Sequence, residues 1–117
     1  MSYDVYLTKR KDILEDEELY NPEFDDTVCC GNYTFNVFEM LSKAFHRDDW
    51  KYIHGKQARH ALKDLHKAIQ NMALYPDKYK AMNPENGWGS YDGALNWLTK
   101  IYSKCTEYPE YYIYISC

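Results

Sequence analysis

No stretch of this chain approaches the roughly 18 consecutive apolar residues that a membrane span requires. Met1-Ser2-Tyr3-Asp4 has neither a basic lead nor an apolar run, so no secretion signal is read there. The expectation is a cytoplasmic protein with no membrane partner. Cysteine lacks a metal-binding pattern: Cys29 and Cys30 adjoin, Cys105 falls in a helical segment, Cys117 ends the sequence, and no C-x-x-C occurs. Free thiols and no metal are therefore expected. The four histidines, His46, His54, His60 and His66, form no H-E-x-x-H. Phosphate-binding glycine loops and the G-x-S-x-G turn are also missing. No catalytic residue and no cofactor is read from the sequence. An enzyme using His54 with a carboxylate is the catalytic alternative. There is no internal repeat, linker or low-complexity tract.

What is present suits one domain. The 117 residues are 45% apolar and 17% aromatic, with thirteen Tyr, which is enough for one core. Net charge is −4 but uneven. Asp12 to Asp26 holds eight acids and no Lys or Arg, whereas Lys43 to Lys80 holds nine bases against four acids. An acidic chain is a poor non-specific binder of nucleic acid. Its local basic face could still hold a small anion. The basic side of the central helix, with Lys56, Arg59, His60, Lys63 and Lys67, reads first as a solvated face.

The periodicities predict an α+β fold, with three main helices packed on a small sheet that contains both terminal strands. Tyr3, Val5 and Leu7 alternate as a strand, and residues 9–26 read as an acidic loop. Thr27 to Cys30 reads as a second strand, ended by Gly31-Asn32. Val37, Met40, Leu41, Ala44 and Phe45 give a helical face, with Asn36 as its N-cap and Glu39 three residues on. Trp50, Tyr52 and Ile53 cover the core from a connecting turn. Ala58, Ala61, Leu62, Leu65, Ala68, Ile69 and Met72 form the second stripe, closed by Pro76. Tyr91, Ala94, Leu95, Leu98, Ile101, Tyr102 and Cys105 form the third, capped by Ser90. Tyr111 to Ile115 is the last strand. The expected core comprises Val37, Met40, Leu41, Leu62, Leu65, Ile69, Leu95, Leu98, Ile113 and Ile115.

Two polar-aromatic clusters precede helices: Gly31-Asn32-Tyr33-Thr34-Phe35-Asn36 and Asn83-Pro84-Glu85-Asn86-Gly87-Trp88-Gly89-Ser90-Tyr91. In an extended segment Asn32, Thr34 and Asn36 share a side, where their amides and hydroxyl can meet a ligand. The same residues also serve as ordinary caps and turns. Trp88, between two glycines, is either a stacking platform for a base or a plug for the core. Tyr91 would add a flat wall beside helix-start amides. The clusters are expected to meet and form one ligand-binding concavity. Its residues would be Asn32, Tyr33, Thr34, Asn36, Asn86, Trp88 and Tyr91, with His54 the one histidine considered for a site.

These two strings, with Val37 and Met40 after the first, resemble a family of small, largely uncharacterised proteins frequent in bacteriophage genomes and related bacterial loci. The resemblance runs from about residue 27 to residue 116 and takes in Cys105 to Pro109. Family members usually have a shorter N-terminus, and many carry His where this chain has Phe35. The resemblance implies a non-structural phage accessory protein acting against host defence, in the host cytoplasm. Two partners are expected as alternatives. One is a small polar or nucleotide-like ligand in the concavity. The other is a host protein, inhibited through the acidic and Tyr-rich surface.

Overall fold

The computed structural model describes residues 2–9 and 27–116. The acidic stretch, apart from Lys9, and Cys117 lie outside the described residues. Strand β1, Ser2–Thr8, buries Tyr3, Val5 and Leu7 on one face, as its alternation predicts. It is the central strand of a three-stranded antiparallel sheet of order β2-β1-β3, where β2 is Thr27–Thr34 and β3 is Tyr112–Ser116. The terminal strands therefore pair directly, with Val5 opposite Ile115 and Leu7 opposite Ile113.

The far side of β3 is closed by the segment that leads into the central helix. Gly55 N donates to Ile113 O at 2.8 Å, Ile113 N to Lys56 O at 2.9 Å, and Ala58 N to Tyr111 O at 2.7 Å. Backbone groups that would mark an open edge are thus satisfied.

Three main helices complete the α+β fold: α1 (Phe38–Ala44), α2 (Ala58–Leu74) and α4 (Tyr91–Glu107), with the one-turn α3 (Pro76–Lys80) after α2. The predicted stripes pack as one cluster with the inward face of the sheet. Met40, Leu41, Leu65, Met72, Leu98 and Ile101 are all buried beside Val5 and Leu7. Pro76 stands at the start of α3, where its missing N–H costs nothing. Ser90 caps α4, its hydroxyl accepting from Gly93 N at 3.1 Å. Trp50 and Ile53 are buried in a 3-10 turn, Trp50–Ile53, between α1 and α2. No helix among the described residues is long and apolar enough to cross a membrane.

Three local expectations are corrected. Strand β2 does not end at Gly31-Asn32 but runs on to Thr34. Asn36 is not the cap of α1: a 3-10 turn, Phe35–Val37, intervenes, and Thr34 caps it. Leu62, Ile69 and Leu95 are half-buried, at the flank of their stripes, whereas Trp97, outside the expected core, is 5% exposed.

Candidate functional site

The site begins with an irregularity in β2. Asp4 pairs with Asn32 and Tyr6 with Cys29, so β2 spends one residue more than β1 between these pairs. Such a bulge reverses the phase of alternation. Before it, Cys30 points inward and is buried; after it, Tyr33 points inward opposite Tyr3. Asn32 and Thr34 are thereby turned to the outer face, with Ser2 and Asp4 as their cross-strand neighbours. Gly31, at φ +87, sits in the bulge.

Beneath this row lies an aromatic floor. Tyr3 meets Phe35 at 4.4 Å and Trp50 at 5.0 Å between ring centroids, Trp50 meets Trp97 edge-on at 5.5 Å, and Tyr33 meets Trp97 at 5.9 Å. Such pairs add roughly 0.5–1.5 kcal/mol each beyond area burial. The indole N–H groups of Trp50 and Trp97 are buried without a partner.

The second cluster is fastened to the first through Tyr33. Its hydroxyl accepts from Ser90 N at 3.0 Å. A Cβ on Gly93 would come within 2.6 Å of Tyr33 Cζ, and one on Gly89 within 2.6 Å of Thr34 Cγ2. Only glycine lets the start of α4 approach β2 this closely. Asn83 Oδ1 accepts from Tyr91 N at 2.8 Å, and Asn86 Oδ1 from Trp88 N at 2.9 Å, which folds the loop back on itself.

The two clusters meet. Between them opens a concavity of about 600 Å³ lined by Ser2, Asn32, Tyr33, Thr34, Asn36, Asn86 and Trp88. That volume is in the range of small-molecule sites. No lining residue carries a charge. Trp88 is 69% exposed, so it does not plug the core and is left as a wall. Part of the polar capacity is spent within the site: Thr34 Oγ1 accepts from Asn36 N at 3.3 Å and from Asn36 Nδ2 at 3.1 Å. The Asn32 amide, exposed, makes no hydrogen bond within the described structure, and Asn36 Oδ1 and Asn86 Nδ2 are likewise open to a ligand.

Tyr91 and His54 are not in this concavity. The Tyr91 ring is buried, and its hydroxyl donates to Met72 O at 2.7 Å, tying α4 to α2 instead of walling a site. Burial, with a smaller push from Asp92, raises its phenol above the ordinary value. His54 Nδ1 accepts from Ile115 N at 2.9 Å and its ring leans on Tyr114 at 5.5 Å. It serves the sheet edge. Ser2 was not anticipated, because only the pairing of Ser2 with Thr34 brings it to the site.

Elsewhere, Cys29 is exposed, while Cys30 and Cys105 are buried, and all three are free thiols. Burial pushes the Cys30 and Cys105 thiols up to about 12 from an ordinary 9.0. Neither thiol is a ready nucleophile. No three of His, Cys, Asp and Glu among the described residues gather as a metal site. On the basic helix face Arg59 pairs with Glu110 at 3.2 Å, and Lys63 and Lys67 are exposed.

No protein-family model matches the chain, and neither a curated protein nor a solved structure matches it significantly.

Proposed function

We propose that this chain is a non-catalytic binding protein whose concavity takes a small, flat, polar ligand of the nucleotide type. One observation carries the reading: the exposed Trp88 ring lines one concavity with three asparagines and a threonine, and no lining residue is charged. A base stacked on an aromatic ring gains on the order of 1–3 kcal/mol, and amides can pair with its edge. A neutral lining favours recognition of the base over that of the phosphate. In the phage setting that the resemblance implies, the chain would hold a nucleotide-like signal of host defence in the host cytoplasm.

Tryptophan emission tests the reading, because Trp50 and Trp97 are buried and Trp88 faces solvent. Titration with nucleosides should quench or shift the emission to saturation, and Trp88→Phe should remove most of that response. A flat titration with every common nucleoside and nucleotide would count against a nucleotide-type ligand.

A further inference from the structure

The concavity has an unassigned fourth corner. On the outer face of the sheet Ser2 pairs with Thr34, and the next pair on that face is Asp4 with Asn32. Adjacent same-face pairs lie about 7 Å apart along a strand, and direct partners have Cβ atoms about 5 Å apart. Ser2, Thr34 and Asn32 all line the concavity. Asp4 completes the square at its edge, flanked on the other side by Ser116. It is half-exposed and makes no hydrogen bond or ion pair among the described residues. A carboxylate is thus placed beside an otherwise neutral site, with its acceptor capacity unspent.

We propose that Asp4 makes the concavity selective for a guanine base. The inference rests on the nucleotide-type reading of the site. An ionised carboxylate only accepts hydrogen bonds, and it can take two from adjacent donors. Among the common bases, guanine alone presents two adjacent donors, N1–H and the N2 amino group, on its pairing edge. Adenine, cytosine and uracil each set at most one donor beside acceptors there, and those acceptors would face the carboxylate. With the base lying on Trp88, Asp4 accepts from N1–H and N2–H, and the Asn32 amide beside it donates to O6. The bulge in β2 is what lets Asn32 and Thr34 share the outer face with Ser2 and Asp4 while Cys30 stays buried on the other. In an unbroken alternation from the buried Cys30, Asn32 would turn inward.

Calorimetric titration of the full chain with guanosine, inosine and adenosine tests this, using the wild type, Asp4→Asn and Trp88→Ala. Guanosine is expected to bind about tenfold or more tighter than adenosine, as for a charge-assisted pair in a partly open site. Inosine, lacking the N2 amino group, should fall between. Asp4→Asn should bring guanosine and adenosine within about twofold of each other, a difference within one neutral hydrogen bond. Trp88→Ala should weaken all three. Equal binding of guanosine and adenosine, still sensitive to Trp88→Ala, would overturn the role of Asp4 and leave the concavity reading standing. Preference for guanosine that survives Asp4→Asn would do the same. No binding of any of the three would overturn both.

Discussion

The aromatic floor and the rim of the concavity each hold a tryptophan, and the two behave in opposite ways. Trp97, in the floor, is packed against Tyr33, Trp50 and Tyr3. Trp88, at the rim, stands 69% exposed over unspent amides. In the floor, packing is tight enough that two indole N–H groups go unpaired. At the rim, hydrogen-bonding groups go unpaired in water, where that is nearly free. The difference teaches that exposure of a large aromatic is tolerable when a rigid layer beneath it carries the stability, and that such exposure points to binding.

The comparison breaks most visibly if the floor is removed. Trp97→Ala should cost about 3–5 kcal/mol in urea unfolding and distort the site above it. A loss under about 1 kcal/mol would mean that floor and rim are not distinct. Gly93→Ala strikes the joint between them. Its methyl group would drive into Tyr33 Cζ, so a loss of about 1–3 kcal/mol is expected, with the near-ultraviolet circular dichroism of the aromatic cluster altered.

Alkaline pH probes the buried thiols. Cys30 and Cys105 have thiols raised from 9.0 to about 12 in the folded state, so the stability they contribute is complete below pH 9 and is lost as pH rises towards about 12. At pH 10 the loss should be roughly 1 kcal/mol per thiol. Cys30→Ala should flatten the dependence; an unchanged slope in that variant would show that the thiol does not titrate with unfolding. The smallest expected stability effect is at the rim. Trp88→Ala should change unfolding by less than about 0.5 kcal/mol while weakening nucleoside binding, and a large stability loss would make Trp88 a structural residue after all.

The sequence made the helices legible because each carries a stripe longer than two turns and a chemical stop. Ser90 and Pro76 marked their boundaries without help from the rest of the chain. The meeting of the two clusters was legible for a related reason: both precede helices whose stripes must face one core. The failures have physical causes too. Gly31-Asn32 has the chemistry of a turn, yet here it makes a bulge, because β1 offers a partner on both sides of it. Thr34 and Asn36 are both good caps, and the 3-10 turn inserted before α1 decides for Thr34. Trp97 shares a face of α4 with Ala94 and Ile101 and is buried with them, whereas Leu95, at the flank of the stripe, is half-buried. Tyr91 begins a helix as a wall residue would, but that face of α4 turns towards Met72. His54 precedes a helix as a site residue would, yet the free N–H of Ile115 claims it.

The central place of β1 sets the order in which the chain can fold. Its neighbour β3 comes after all four helices, so during synthesis Val5 and Leu7 wait on Ile115 and Ile113 for their partners. Until then β1 has β2 alone, and a lone strand pair is marginal in water. On a ribosome, α1 and α2 can form as they emerge, because their hydrogen bonds are local. The sheet closes only once β3 has emerged, at the entropic cost of the long loop from β1 to β3. A nascent chain arrested at Pro109 should therefore be helical yet leave the amides of β1 and β2 open to hydrogen exchange. Once β3 is available, protection of β1 and β2 should appear in a single step.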